Sequence, residues 1–229
     1  MAHVLIVGTT ESGKTTLARN LSTHYWDNNY GVLVLDPLGD PRWSADFITD
    51  DQEEFLDVFW RSRRCVAFMD EGGESVGRYD LAMQQTATRG RHWGHSCHYV
   101  CQDPTQLAPI VRAQCSHLFA FALSSRQSKI MAEEFNEPLL ETCTRLRQGE
   151  YIHAQRFGKT SRHTSGVIEN ASIDSDRNDR RRQRVDSAGT ETRQENGEEN
   201  SGTNRSAVAV SGASSDTDHT GGSDTGADA

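Results

Sequence analysis

The stretch His3-Val4-Leu5-Ile6-Val7-Gly8-Thr9-Thr10-Glu11-Ser12-Gly13-Lys14-Thr15-Thr16 decides how the rest of the chain is read. Val4 to Val7 form a short apolar run with the character of a buried strand. It breaks at Gly8 into a loop of the form G-x-x-x-x-G-K-T, closed by Gly13, Lys14 and Thr15. Gly8 and Gly13 let the backbone turn with its N–H groups inward. A ring of donors then surrounds a β-phosphate at the start of the next helix, where the helix dipole also favours negative charge. Lys14 can reach the β- and γ-phosphates, and the Thr15 hydroxyl can ligate Mg²⁺. An amphipathic pattern follows (Leu17, Ala18, Leu21), so the loop has the strand-before, helix-after setting that such a site needs. The segment Gly8, Thr9, Thr10, Glu11, Ser12, Gly13, Lys14, Thr15 and Thr16 is therefore read as a nucleoside triphosphate site, with ATP and Mg²⁺ as its expected ligands.

Working outward, the chain alternates strands and helices. A helix over about Lys14 to Tyr25 ends at Asn28-Asn29-Tyr30-Gly31, residues that suit a turn with positive φ. Val32 to Leu35 is a second apolar run, closed by Asp36-Pro37. Asp50 with Glu53 predicts a capping box for a helix from Asp51 to Arg61. A third strand, Cys65 to Met69, ends in Asp70-Glu71. A glycine-rich loop (Gly72 to Gly77) leads to a helix from Tyr79 to Thr88, and the segment Arg89-Gly90-Arg91-His92-Trp93-Gly94 precedes a fourth strand, Ser96 to Cys101. Further expectations are a short helical piece from Thr105 to Arg112, a fifth strand from Ser116 to Phe121, and helical segments from Ser125 to Phe135 and Pro138 to Leu146. A terminal strand or hairpin is expected over Gly149 to Phe157. This order predicts an α/β fold with a mostly parallel central sheet and helices on both faces.

Composition divides the chain. Hydrophobic residues make up only 34% of the 229, low for a chain that is globular throughout. From Ser165 to Ala229 there is no Phe, Tyr, Trp, Leu, Met or Cys, and 7 Lys+Arg stand against 13 Asp+Glu. Such a segment cannot bury enough apolar surface to offset its conformational entropy. The expected organisation is an ATPase domain over 1–164 and a disordered acidic tail over 165–229. The acidity lies mostly in the tail, so a nucleic-acid surface on the rest is not excluded. Arg180, Arg181, Arg182 and Arg184 form a basic cluster inside the tail. The five cysteines (Cys65, Cys97, Cys101, Cys115, Cys143) are odd in number and scattered through apolar runs, which fits reduced thiols better than a disulfide framework. With no secretory leader and no membrane-spanning run, a soluble intracellular protein is expected.

In an open parallel sheet the ligand sits beyond the carboxyl ends of the strands. Asp70 can hold Mg²⁺ together with Thr15, and Glu71 is placed to orient or deprotonate an attacking water. Gln102, at the end of the fourth strand, can hydrogen-bond a γ-phosphate and the water. Arg89 and Arg91 precede that strand, from where an arginine reaches a neighbouring subunit's site more readily than its own. His92, His95, Cys97, His98 and Cys101 invite a metal reading, but their spacing fits no standard zinc module, and alternation sends Cys97 and His98 to opposite faces.

Gly8 to Thr15, Val66 to Glu71, and Gly90 to Gly94 leading through a strand to Gln102-Asp103-Pro104 with Leu107 resemble, in that order, the motifs of the FtsK/HerA superfamily of translocating ATPases. The short length, the lack of a membrane or clamp domain and the expected terminal strand resemble its smallest members, the genome-packaging ATPases of membrane-containing, double-jelly-roll viruses of the tectivirus type. The resemblance covers about Met1 to Lys159. It implies a homo-oligomeric ring, expected as a hexamer, that hydrolyses ATP to drive double-stranded DNA into a preformed capsid, with capsid or vertex proteins as partners. The expected location is the host cytoplasm and the virion. It also implies roles: Lys14 and Thr15 for phosphate and Mg²⁺, Asp70 for the metal, Glu71 for water, Gln102 for the γ-phosphate, and Arg89 or Arg91 in trans. A filamentous-phage-type assembly ATPase, a small-molecule kinase and a nucleotide-gated binding module remain alternatives.

Overall fold

In the computed structural model the described residues are 2–71 and 80–164. The expected glycine-rich loop and acidic tail lie outside them. The elements are β1 (His3–Val7), α1 (Lys14–Asp27), β2 (Gly31–Leu35), β3 (Phe47–Thr49), α2 (Gln52–Arg61) and β4 (Cys65–Met69). After these come α3 (Leu81–Arg89), a 3₁₀ turn (Gly90–Trp93), β5 (Ser96–Cys101), α4 (Pro109–Gln114), β6 (Cys115–Ala120) and α5 (Ser125–Phe135). A 3₁₀ segment (Pro138–Arg145), β7 (Glu150–Gln155) and β8 (Ser161–Thr164) complete them.

The strands make one eight-stranded sheet in the order β3-β2-β4-β5-β1-β6-β7-β8. It is parallel from β3 through β6, and β7 and β8 are antiparallel additions at one edge. Every residue of β1, β4 and β5 is buried, as expected of strands covered on both faces. Alternation divides them: Val4, Ile6, Val66, Phe68 and Val100 pack with Leu17 and Ala18 of α1 and with Trp43. Leu5, Val7, Ala67, Met69, Cys97 and Tyr99 pack with Phe55 and Phe59 of α2, Met83 and Ala87 of α3, Val111 of α4 and Met131 of α5. All five cysteines are buried and free, and no helix among the described residues is long and apolar enough to cross a membrane.

Several boundaries differ from the sequence expectation for local reasons. Asp51, not Asp50, caps α2: its backbone is extended and its carboxylate accepts the Glu54 N–H at 2.8 Å. The helix expected from Thr105 starts only at Pro109, because Asp103 Oδ1 captures both the Thr105 N–H and its hydroxyl at 2.8 Å in a local turn. Proline then takes the first helical position, where its missing N–H costs nothing. The helical segment expected from Pro138 is present as a 3₁₀ helix. Strand β3, three residues on the sheet edge, carries too short a pattern to be visible in sequence.

Two buried histidines give this fold an acid limit. His98 of β5 stacks on Phe68 at 4.4 Å, and burial pushes its pKa down to about 3. His3 is pushed to about 4, first by burial and then by the Arg91 charge. Both values lie below the ordinary imidazole, so the unfolded chain binds more protons than the native one below about pH 6.5. The contribution of these two histidines should thus be flat above that pH and fall as pH drops toward 4, by up to about 1.4 kcal/mol per unit per histidine, opposed in the same window by Asp70, whose carboxyl is raised to about 6. Thermal unfolding across pH 4–7 checks this: a His98→Phe variant should show a shallower acid slope, and an unchanged slope would refute the assignment.

Candidate active site

The loop after β1 is shaped by its glycines. A Cβ on Gly8 would lie 2.6 Å from Phe121 Cβ and 2.7 Å from Ser12 Oγ, so only glycine fits. Gly13 has φ +109° and precedes the first residue of α1. The loop is braced from behind by the turn before β7: Gly149 N donates to Ser12 O at 2.9 Å, and Gln148 Nε2 donates to Glu11 O at 3.0 Å. Lys14 is buried, with its ammonium donating to Thr9 O at 2.9 Å across the mouth of the loop. Burial lowers its pKa, while Glu71 and Asp70 oppose that shift.

The acidic residues converge on the same place. Asp70 follows β4, and its carboxyl is raised to about 6, chiefly by burial, with the Asp36 and Glu71 charges adding to the shift. The Glu71 N–H and the Thr15 hydroxyl hydrogen-bond the Asp70 carboxylate and oppose it. Among the described residues no group of three or more His, Cys, Asp or Glu is placed to hold a metal, but the Asp70 carboxylate and the Thr15 hydroxyl are oxygen donors of the kind a hard cation such as Mg²⁺ takes. Asp36, at the end of β2, is itself fixed by the N–H groups of Leu38 and Asp40 and by Trp43 Nε1 at 2.7–3.0 Å. Glu71 has φ +49°, a strained conformation for a non-glycine residue and of the kind found at functional sites.

Gln102 closes the arrangement. Thr10 Oγ1 donates to Gln102 Oε1 at 2.9 Å, and Gln102 Nε2 donates to both Glu71 carboxylate oxygens at 3.2 Å. Thr9, Thr10, Glu71, Gln102, Asp103, Gln106 and Gln127 line a hollow of about 370 Å³ beside the loop. A second hollow of about 390 Å³ lies at the opposite, amino-terminal edge of the sheet, where Val4, Val66, Ser96 and His98 line it. No carboxylate is among its lining residues, whereas Glu71 and Asp103 line the first.

The arginines do not join this cluster. Arg91 Nη2 donates to Gln114 O at 2.7 Å and to its Oε1 at 3.0 Å, just before β6 begins, and Arg89 Nη1 donates to Gln85 Oε1 at 3.0 Å. Both are exposed at the amino-terminal edge of the parallel strands, across the sheet from Lys14. The histidines and cysteines of the invited metal reading are also dispersed. Cys97 and His98 face opposite sides of the sheet, and His95 binds Cys65 N and Phe59 O.

Sequence reasoning overlooked Asp36, although an acid after four apolar strand residues is the signal that found Asp70. It also overlooked Arg112, buried below the Gln102 segment. Its guanidinium clamps the Glu134 carboxylate at 2.6–3.0 Å and donates to Pro104 O at 2.8 Å and Leu107 O at 2.6 Å. No local pattern marks an arginine paired with a residue 22 positions away.

A parallel sheet with this loop at the carboxyl end of a central strand defines the P-loop ATPase fold. No protein-family model and no curated protein matches the sequence. Among solved structures, the chain is similar to the genome-packaging NTPase B204 of Sulfolobus turreted icosahedral virus 2 bound to AMPPCP. The TM-score is 0.61 at 14% identity, over 71% of this chain and 97% of that one. It is similar to the pCW3 conjugation coupling protein TcpA with ATPγS (TM-score 0.59, 11% identity, 73% and 61% covered). VirB4 of Thermoanaerobacter pseudethanolicus aligns with a TM-score of 0.53 at 11% identity, with 74% and 90% covered. At such identities the likeness shows the fold alone, the α/β fold that this chain shares with these nucleotide-binding proteins.

Proposed function

We propose that this chain is an ATP-hydrolysing motor that translocates double-stranded DNA, and that it packages a viral genome into a preformed capsid. The observation that carries the reading is the Thr10–Gln102–Glu71 chain of hydrogen bonds, which ties a water-activating carboxylate to the phosphate loop. Support for the packaging role comes from the fold likeness to a genome-packaging NTPase, almost all of whose chain is covered.

The roles follow from position. The loop N–H groups and Lys14 hold the phosphates, and Lys14 exchanges its bond to Thr9 O for phosphate oxygens. Thr15 and Asp70 would hold Mg²⁺, which supplies neutralisation of charge on the β- and γ-phosphates. Glu71 orients a water in line with the γ-phosphorus and takes its proton as the bond to the β-phosphate breaks. Gln102, able to hydrogen-bond both Glu71 and a γ-phosphate, reports occupancy to Asp103–Leu107 and so to Arg112. Arg89 and Arg91 lie across the sheet from their own loop, which favours a role at the nucleotide of another copy in a ring. In a hexamer each site would then be completed by the next subunit. Capsid or vertex proteins would be its docking partners, and the host cytoplasm its place of work.

ATP turnover by the full chain should proceed without a phosphoryl acceptor, rise on addition of double-stranded DNA and displace a DNA-bound roadblock. Turnover that requires a small-molecule acceptor would replace the motor by a kinase, and turnover without displacement would favour a binding module. Mixing Glu71→Gln with Arg91→Ala subunits should restore part of the activity that each lacks alone. Without such recovery, a trans role for Arg91 loses its support.

A further inference from the structure

We propose that Tyr151 and His163 form the seat of the nucleobase for the nucleotide whose phosphates the Gly8–Thr15 loop takes. The inference rests on the triphosphate reading of that loop. The loop does not stand alone: a Cβ built on Gly13 would lie 3.3 Å from Phe121 Cε1 and 3.6 Å from Gly149 Cα. From Phe121 a line of rings runs outward over the sheet. Phe121 and Tyr151 have centroids 5.2 Å apart, and Tyr151 stacks on His163 at 5.3 Å with an interplanar angle of 20°. Phe119 lies 5.7 Å from Tyr151 and supports it from the side.

Topology puts this line at the correct end and face. Strand β7 is antiparallel to β6, with Ala120 paired to Ile152, so Tyr151 falls at the carboxyl-terminal edge of the parallel strands beside the loop. His163 is its direct partner on β8. Tyr151 belongs to the sheet face that α1 covers, but α1 packs against β1, β2, β4 and β5. Tyr151 is only half-buried there and His163 is exposed. One ring, that of Phe121, lies between Gly13 and Tyr151.

The chemistry suits a base. Flat π-faces next to a phosphate site recognise a nucleobase by stacking, and this tolerates every base because each has such a face. The competing account is a cross-strand pair that only steadies the edge hairpin, a smaller and ligand-independent effect.

Calorimetric binding of ATPγS and of inorganic tripolyphosphate to the full chain separates these accounts. For Tyr151→Ala combined with His163→Ala, the dissociation constant for ATPγS should rise roughly 5- to 100-fold. That for tripolyphosphate should stay unchanged, and Tyr151→Phe should behave as wild type. Equal losses for both ligands, or none for ATPγS, would overturn the proposal, while binding of both by the wild type would leave the triphosphate reading of the loop standing. Failure of the wild type to bind either ligand would overturn the loop reading and the proposal with it. Photolabelling of the wild type by 8-azido-ATP needs no variant. Label on β7 or β8 supports the seat, and label confined elsewhere overturns it.

Discussion

Glu71→Gln protein is expected to bind ATP about as well as wild type and to hydrolyse it about 10²- to 10⁴-fold more slowly, the usual worth of a positioned general base. The substitution keeps size and hydrogen-bonding capacity, so Gln102 retains a partner, whereas the proton acceptor is lost. Single-turnover hydrolysis measured alongside equilibrium binding of ATP checks the prediction. A variant that loses binding and hydrolysis together would instead make Glu71 a structural support for the loop. Retention of turnover would move the base elsewhere, and Asp70 would be the nearest candidate.

The second large effect is expected on stability. Arg112→Ala removes a guanidinium whose side chain is only 9% exposed and leaves the Glu134 carboxylate, with 28% exposure, as an unpaired charge. The carbonyls of Pro104 and Leu107 lose their donors as well. Breaking such a pair costs about 3 kcal/mol, at the lower end of the range because Glu134 keeps some contact with water. For a domain of this size that corresponds to a fall in Tm of roughly 6–12 °C. The double variant Arg112→Met, Glu134→Leu should recover most of the loss, since replacing both partners leaves no orphaned charge. If the double variant is as unstable as the single one, the cost lies in the Pro104 and Leu107 carbonyls left without a donor and in packing rather than in the ion pair. Arg156 shares this network through Cys115 O, Glu134 O and Arg112 O, so its substitution should not add independently to that of Arg112.

Much of the architecture was legible in the order of apolar runs. β5 and α5 lie where the order of apolar and helical segments places them, and in the structure Ser124 and Gln127 form the capping box that starts α5. The start of a helix shifts where a side chain competes for the backbone, as Asp103 does at Thr105, whereas α2 departs from expectation only in which aspartate caps it. The 3₁₀ character of Pro138–Arg145 was also hidden, since its apolar spacing reads equally well as an α-helix.

The sequence by itself determined the Gly8–Thr15 loop proposed to take phosphate, because the conformation of Gly8 and Gly13 and the position of Lys14 are local properties of adjacent residues. It determined Asp70 and Glu71 in the same way, as acids at the end of an apolar strand. Only the tertiary structure decided what meets what. The parallel register beside β1 brings Gln102 to Thr10 and Glu71, across 92 and 31 residues of chain. The antiparallel return of β7 sets Tyr151 beside the loop, and the direction of the strands carries Arg89 and Arg91 to the far edge. Such pairings depend on strand order and register, which arise from burial of both sheet faces at once, and no single stretch of sequence encodes them.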